Sequence, residues 1–223
     1  MQVGNARYRV LKDFPGVAPV FPLTGALLLP GSRMPLNIFE PRYLAMIDAS
    51  LAGPRVIGMV QPSLDGRTNS VGEPQLSSIG CLGRITSLTE TGDGRYVLAL
   101  DGICRFRLGE EIVSRLPYRQ CHIAPMLADL EQEIEADQVD RISLLKTLRD
   151  YVDANGFQVD WDNISRAGNA TLVNALSMMA PYGPAEKQAL LEAPDLKTRA
   201  AMLVALAEIE LARDGDGPPS NLQ

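Results

Sequence analysis

The chain is poor in the residues on which secreted, metal-binding and membrane proteins depend. Among its 223 residues are three cysteines, one histidine and one tryptophan, and aromatic residues make up 5%. Cys81, Cys104 and Cys121 are widely spaced and form no Cys-x-x-Cys pair, which excludes a disulfide framework and a cysteine-based zinc site. They are typical of small apolar residues buried on strands. No apolar run approaches the ~20 residues that cross a bilayer, and no signal-peptide core is present, so we expect a cytoplasmic protein with no membrane partner.

Motifs for nucleotide binding and covalent catalysis are also missing. The sequence has no G-x-x-x-x-G-K-[ST] phosphate loop and no serine in a G-x-S-x-G context. The single histidine, His122, follows Cys121 directly, and neighbouring side chains on a strand point to opposite faces, so the two cannot form a catalytic pair. The acidic run at residues 129–140 lacks the glycine turn of a calcium loop and is better explained as a solvated helix face or a linker. We therefore predict no catalytic residue, no cofactor and no metal site.

Charge and turn-forming residues divide the chain into two regions. Residues 1–125 hold 13 Lys/Arg and 10 Asp/Glu, a balance of +3, together with 14 glycines and 11 prolines. Residues 126–223 hold 8 Lys/Arg and 17 Asp/Glu, a balance of −9, with 5 glycines and 5 prolines. A turn-rich, mildly basic region is thus followed by a turn-poor, acidic one.

The first region has the pattern of short strands separated by turns. Residues 56–60 form a bounded apolar run of the kind found in a buried strand. Residues 81–89 and 95–100 flank Thr91-Gly92-Asp93-Gly94, which predicts a hairpin. Short strands at this spacing favour a barrel or a sandwich over a parallel sheet with crossover helices.

Two more strands are expected in this region. Asp101-Gly102 predicts a second turn, and residues 103–108 follow it. Ile103 and Arg105 alternate there with Cys104 and Phe106, which predicts a half-exposed strand. Residues 119–123 form a closing strand before Pro125.

A helix and a loop interrupt the strands. Glu40-Pro41 places proline at a first helical position, where its missing N–H costs little. Leu44, Ile47 and Leu51 then recur at helical spacing, and Gly53-Pro54 ends the helix. The segment at residues 62–74 has no periodicity and predicts a mobile loop.

The second region has a helical period. Its expected apolar stripes contain Ile142, Leu145, Leu148 and Val152; Leu172, Val173, Leu176 and Met179; and Leu196, Ala200, Leu203, Ala207 and Leu211. A further helix begins at Pro184, with Glu186 in its first turn. Asp162 and Asp195 are expected to cap helices rather than to catalyse.

Three segments of this chain resemble the amino-terminal domain of Lon proteases. The first, at residues 21–43, begins Phe-Pro-Leu and ends Met-Pro-Leu-Asn-Ile-Phe-Glu-Pro-Arg-Tyr. The second joins Ile-Gly-Cys-Leu-Gly-Arg-Ile at residues 79–85 to Asp-Gly-Ile-Cys-Arg-Phe-Arg-Leu at residues 101–108. The third, at residues 184–200, is similar to the end of the bacterial domains. Because the three keep the family order, the chain is identified as a member of this family.

The resemblance implies an α+β fold in which a PUA-like β pseudo-barrel precedes an α-helical bundle. We place the barrel at residues 20–125 and the bundle at residues 126–213, with an N-terminal extension at residues 1–19 and a disordered tail at residues 214–223. In Lon proteases this domain lies ahead of an ATPase and a Ser–Lys peptidase, and it recognises unfolded or tagged substrates. This chain encodes neither part, so the resemblance implies a stand-alone, non-catalytic module.

The expected function is therefore binding of a protein or of unfolded polypeptide. Such binding needs exposed apolar surface or a free strand edge, and the candidate segments are residues 27–39 and the loop at residues 62–74. Met34, Ile38 and Phe39 are the candidate peptide-binding residues, although the same residue types are typical of a core.

Two alternative functions stay open. The chain can be an adaptor that docks on a folded partner such as an AAA-type protease, or it can bind RNA through its barrel. RNA binding needs clustered basic residues and stacking aromatics. The densest basic group, Arg105, Arg107, Arg115 and Arg119, is interrupted by Glu110 and Glu111, so nucleic acid is disfavoured as a partner.

Overall fold

The structure, a computed structural model, describes residues 1–69, 71–134 and 138–215, and it has the predicted α+β fold. The strands in the described residues are β1 (Gln2–Val3), β2 (Ala6–Arg7), β3 (Val17–Pro22), β4 (Arg33–Ile38), β5 (Val56–Val60), β6 (Ile79–Glu90), β7 (Tyr96–Glu111) and β8 (Gln120–Pro125). The helices are α1 (Pro41–Leu51), α2 (Arg141–Asn155), α3 (Trp161–Arg166), α4 (Asn169–Met179), α5 (Pro184–Glu192) and α6 (Leu196–Gly215), with 3-10 helices at Leu11–Asp13 and Leu127–Ile134.

Strands β3, β5, β6, β7 and β8 close into a barrel. The sheet order is β4-β7-β6-β5-β3-β8, and a further pairing between β7 and β8 completes the circuit. The β3–β5 pair is parallel, and the other pairs are antiparallel. Closure removes the free edges of these strands. Strand β4 pairs with β7 outside the circuit and contains Pro35, which cannot donate a ladder hydrogen bond.

The hairpin between β6 and β7 forms where the sequence predicts it. The N–H of Gly94 donates to the carbonyl of Thr91 at 3.0 Å, and Gly94 has a φ of 80°. Residues with a side chain rarely adopt this backbone conformation, so glycine suits the turn.

The turn predicted at Asp101-Gly102 is wrong, because β7 continues through both residues. The β6–β7 register shifts between Leu82 and Gly83, so the strand contains a bulge instead. A Cβ atom on Gly102 would lie 2.1 Å from the carbonyl oxygen of Leu29. Glycine is required here by the close approach of another segment and not by a change of chain direction.

The half-exposed strand predicted at residues 103–108 is also wrong over most of its length. Ile103, Cys104 and Phe106 are fully buried, and Arg105 is 3% exposed. One side of this part of β7 packs in the barrel core, while Arg105 bonds to Asp129 in the second 3-10 helix. The alternation of apolar and polar residues correctly predicts a strand here. It does not predict how exposed Arg105 is, because the segment that contains Asp129 covers the outer face of the strand.

Helix α1 begins at Pro41 as predicted, and its buried side is slightly rotated from the expected one. Tyr43, Met46, Ile47 and Ser50 are buried, whereas Leu44 and Leu51 are half-buried. The helix ends at Leu51, just before Gly53-Pro54.

Two of the expected apolar stripes in the second region contain errors. Ile142 on α2 is 84% exposed, and Met179 at the end of α4 is 82% exposed. Leu144 and Thr147 take the buried side of α2 instead. The stripe on α6 is confirmed at Leu196, Ala200, Leu203 and Ala207, all of which are buried.

The helix caps are partly as predicted. Asp195 accepts a hydrogen bond from the N–H of Thr198 at 2.7 Å, which lowers the pKa of its carboxyl group and confirms the predicted cap. Asp162 is not a cap: Asp160 accepts from the N–H of Asn163 at 3.0 Å, and Asp162 lies in the first turn of α3. Two aspartates stand near this helix start, and sequence spacing does not distinguish them.

The acidic run at residues 129–140 is not uniformly a solvated helix face. Asp129 is 2% exposed, and Asp140 caps α2 by accepting from the N–H of Ser143 at 3.1 Å. Residues 135–137 of the run lie outside the described residues.

One buried arginine of the barrel, Arg105, bonds to the helical region, and a second buried arginine, Arg199, bonds within that region. Arg105 donates to the carbonyl oxygens of Leu191 and Pro194, each at 3.1 Å. Arg199 is fully buried and donates to the side-chain oxygen of Asn174 at 3.0 Å. Burial, and then the charge of Arg105, lower the pKa of Arg199 to about 10, so it stays charged at neutral pH. A polar junction therefore fixes the two regions together.

The ends of the predicted regions differ from the elements observed. Strand β3 begins at Val17, before residue 20, and Tyr8 and Phe14 of the N-terminal extension are buried against the barrel. Helix α6 extends to Gly215. Residues 216–223 of the predicted tail lie outside the described residues.

Candidate functional site

The three predicted peptide-binding residues occupy different environments around β4. Ile38 is 2% exposed and belongs to the main hydrophobic core. Met34 is half-buried and packs against the same core. Phe39, which follows the strand, is 60% exposed. Phe39 is therefore the residue of this set that presents apolar surface to solvent, and the other two fix the strand beneath it.

The start of α1, next to Phe39, is held by charged and aromatic side chains. Arg42 donates to the carboxylate of Glu40 at 2.9 Å, and its guanidinium lies 4.6 Å from the ring centre of Tyr43. Tyr43 packs on Phe21 with ring centres 4.2 Å apart, and burial raises the pKa of its hydroxyl group. These contacts give Glu40 and Arg42 a structural role at the start of the helix.

The predicted loop at residues 62–74 carries its own hydrogen bonds. Ser63 donates to the carbonyl of Gln75 at 2.6 Å, and Asn69 donates to that of Glu73 at 2.7 Å. A 200 Å³ cavity opens beside the loop, and prolines, tyrosines and charged residues line it: Pro22, Arg42, Tyr43, Pro62, Glu73, Pro74, Pro117, Tyr118 and Arg119.

Two of the four arginines in the predicted basic group are paired with acidic side chains. Arg105 is buried and donates from its Nη2 atom to a carboxylate oxygen of Asp129 at 2.7 Å. Arg119 donates to both carboxylate oxygens of Glu111 at 2.6 and 2.7 Å, which lowers the pKa of Glu111. Half of the arginines that could have contacted phosphates are thus engaged inside the protein, and this weakens the RNA alternative.

A larger cavity lies between the helices of the second region. It has a volume of 460 Å³, is open to solvent, and is lined by side chains from α2, α4, α6 and the segments at residues 157–159 and 180–182. Its lining is chiefly apolar, and its largest members are Leu144, Leu148, Tyr151, Phe157, Met179, Tyr182 and Leu203.

Sequence reasoning missed this cavity, which we call the helical cavity. Its residues belong to ordinary helix stripes, so their spacing predicts core packing. The available signal was the cluster of Tyr151, Phe157 and Trp161 in a chain that is otherwise poor in aromatics. Tyr151 and Phe157 indeed pack together, with ring centres 6.3 Å apart.

The cysteines and the histidine are not arranged as catalytic groups in the described residues. All three cysteines are buried, and burial raises the pKa of Cys104 to about 12 and that of Cys121 to about 11. His122 is exposed on β8, on the opposite face from Cys121.

In residues 1–69, 71–134 and 138–215, no group of His, Cys, Asp and Glu is arranged to hold a metal ion. Within the same ranges, no helix is both long and apolar enough to cross a membrane.

Together these features define an α+β domain in which a closed barrel is joined to a helical bundle with an open apolar cavity. Residues 17–208 match the family described as the ATP-dependent protease La (LON) substrate-binding domain. Because the match covers most of the sequence, the chain belongs to this family.

Individual relatives agree with the family match. Lon protease 2 of Myxococcus xanthus is 27% identical over 201 residues, which cover 87% of this chain and 24% of that protein. The Lon protease of Flavobacterium johnsoniae is 26% identical over 219 residues, which cover 91% of this chain and 26% of that protein. The chain thus spans about a quarter of the length of the proteases it resembles.

Solved structures show the same fold. The Lon N-terminal domain protein from Xanthomonas campestris has a TM-score of 0.59 and 22% identity, and the similarity covers 85% of this chain and 97% of that one. The N-terminal domain of the Mycobacterium avium complex Lon protease has a TM-score of 0.60 and 18% identity, covering 86% of this chain and 98% of that one.

Proposed function

We propose that the chain is a polypeptide-recognition module that binds unfolded segments of protein substrates through apolar surface. The observation that carries the proposal is the match of residues 17–208 to a family described by substrate binding. Large apolar side chains in solvent support it, because contacts to unfolded chains depend chiefly on burial of apolar area.

Within the predicted site, we propose that Phe39 makes the contact. Its ring is 60% exposed at the end of β4, where Ile38 anchors the strand in the core. Pro35 interrupts the hydrogen-bonding pattern of this strand, so side-chain contact is a better mode of binding here than addition of a strand.

The test is a titration of fluorescently labelled lysozyme that has been reduced and blocked with iodoacetamide, so that it cannot refold. Fluorescence anisotropy is measured at ionic strengths of about 0.01 and 0.15 M, between which the screening length falls from about 30 to 8 Å. We expect a dissociation constant on the order of micromolar that survives the added salt, and no binding of native lysozyme.

A matched pair of variants locates the contact. Phe39→Asp places a charge in the predicted site, and Val113→Asp makes the same change at another exposed position, 101% exposed. Weaker binding by the first variant alone supports the Phe39 site. No binding of unfolded lysozyme by the unaltered chain refutes the proposed function, and docking on a folded partner becomes the better explanation.

A further inference from the structure

The helical cavity has the size of a site for large side chains. Its volume is 460 Å³, whereas an apolar cavity of about 150 Å³ already accepts benzene, and sites for small molecules start at about 300 Å³. The cavity therefore has room for about two aromatic or large aliphatic side chains.

The residues around the opening keep apolar surface in contact with water. Met179 is 82% exposed and Phe157 is 53% exposed, and both line the cavity. Helix α4 ends at Met179, and the extended Ala180 leads the chain into Pro181, so Met179 lies at the end of the helix, at the edge of the cavity. Protein interiors normally leave few voids larger than a water molecule. Methionine is also a flexible side chain that adapts to varied apolar partners.

The helical region that contains the cavity is acidic in its sequence. Residues 126–223 have a net charge of −9. Glu210, on α6, lies close enough to Tyr182 in the lining to contribute, after burial, to the raised pKa of the Tyr182 hydroxyl group. Charge complementarity therefore favours a positively charged partner and steers it towards this face.

We propose that the helical cavity is an anchor site that takes two large apolar side chains of an unfolded polypeptide segment flanked by lysine or arginine. This inference rests on the proposed function and adds a site and a substrate class to it. Burial of the two side chains supplies affinity, and the acidic surroundings select the basic flanks.

Three labelled peptides of equal length test the substrate class. The first carries a Leu-Phe pair between lysines, the second carries the same pair between glutamates, and the third has serines in place of the pair between lysines. We expect the first to bind at least about tenfold more tightly than either of the others, since both burial and charge contribute. Equal binding of the first two overturns the basic preference, and equal binding of the first and third overturns the anchor.

A substitution that fills the cavity with a larger side chain tests whether the peptide binds there. Ala207 lines the cavity and is 8% exposed, so Ala207→Phe occupies part of its volume. Ala205→Phe is the matched control, because Ala205 is exposed on the same helix. We expect Ala207→Phe to weaken binding of the lysine-flanked peptide and of unfolded lysozyme about tenfold or more, with Ala205→Phe unchanged.

A second pair of variants keeps the test decisive if Ala207→Phe does not fold. Met179→Ser removes exposed apolar surface at the opening, and Ile142→Ser makes the same kind of change at a site 84% exposed on α2. We expect weaker peptide binding for Met179→Ser alone.

The outcomes separate this inference from the proposed function. If unfolded lysozyme binds the unaltered chain and both cavity variants equally well, the anchor site is refuted while polypeptide recognition stands. If the unaltered chain binds no unfolded lysozyme, the proposed function itself fails. Dodecanoate provides a further test. If it binds the unaltered chain, fails to bind Ala207→Phe and is displaced by none of the peptides, the cavity is a site for an acyl chain and the inference is overturned.

Discussion

The buried ion pair between Arg105 and Asp129 gives the sharpest test of how the barrel and the helices are joined. Their side chains are 3% and 2% exposed, with a closest distance of 2.7 Å. Asp129 also accepts from the backbone N–H of Arg105 at 2.7 Å. Replacement of Asp129 by alanine therefore removes the charged partner of Arg105 and leaves its guanidinium in a medium that solvates it poorly.

The expected cost follows from this burial. Loss of one partner of a buried pair costs about 3–5 kcal/mol, because the remaining charge is uncompensated. For a chain of this length, that free energy corresponds to a fall of about 10 °C in Tm. The pair Arg166 and Asp162 provides the control: its side chains are 76% and 86% exposed and 4.0 Å apart. Asp162→Ala should change the free energy of unfolding by less than about 0.5 kcal/mol.

Urea unfolding followed by circular dichroism measures both changes, provided that the m-value stays constant. The double variant Arg105→Met, Asp129→Leu should recover much of the loss, because an apolar pair of similar volume carries no desolvation cost. A loss below about 1 kcal/mol for Asp129→Ala would refute the argument that burial of an uncompensated Arg105 dominates.

Three further predictions follow from local contacts. Gly102→Ala should destabilise the protein by more than about 3 kcal/mol in the urea assay, since its Cβ would lie 2.1 Å from a backbone oxygen. The three thiols should react with Ellman's reagent at pH 8 at least about a hundredfold more slowly in the native state than in urea, because burial raises their pKa values. Asp195→Ala should cost about 1 kcal/mol at pH 7. That cost should shrink as the pH falls from 5 to 3 (roughly the carboxyl range), because the folded-state pKa of Asp195 is depressed and protonation removes the charged cap.

The first prediction has a control variant, and the other two have outcomes that would contradict them. Gly92→Ala has open space around the added methyl group and should cost less than about 1 kcal/mol. A thiol that reacts in the native state at the denatured rate contradicts its burial. A cost for Asp195→Ala that stays constant between pH 7 and 3 contradicts the role of its carboxylate.

The sequence correctly predicted a helix start, a turn and a cap that depend only on residues close to them in the chain. Proline at the start of α1, the turn that ends at Gly94 and the cap at Asp195 all act within a few residues of themselves. The same reasoning failed where a distant segment sets the environment. Asp101-Gly102 predicts a turn, because the approach of Leu29 is not visible in the sequence around it.

The candidate site shows the same division. The residue types of Met34, Ile38 and Phe39 suit a binding surface and a core equally well, and only burial separates Ile38 in the core from Phe39 in solvent. The helical cavity was not predicted at all, since its lining comes from elements between residues 144 and 207.

The sequence by itself determined the division into a strand-rich region followed by a helical one, the family and the change from a mildly basic barrel to an acidic bundle, because hydrophobic period, turn residues and charge are local or additive properties. Tertiary structure decided which side of α2 is buried, why Arg105 and Asp129 lie together inside, and where apolar surface stays open. These depend on which segments pack against each other, and packing brings together residues that the sequence keeps far apart.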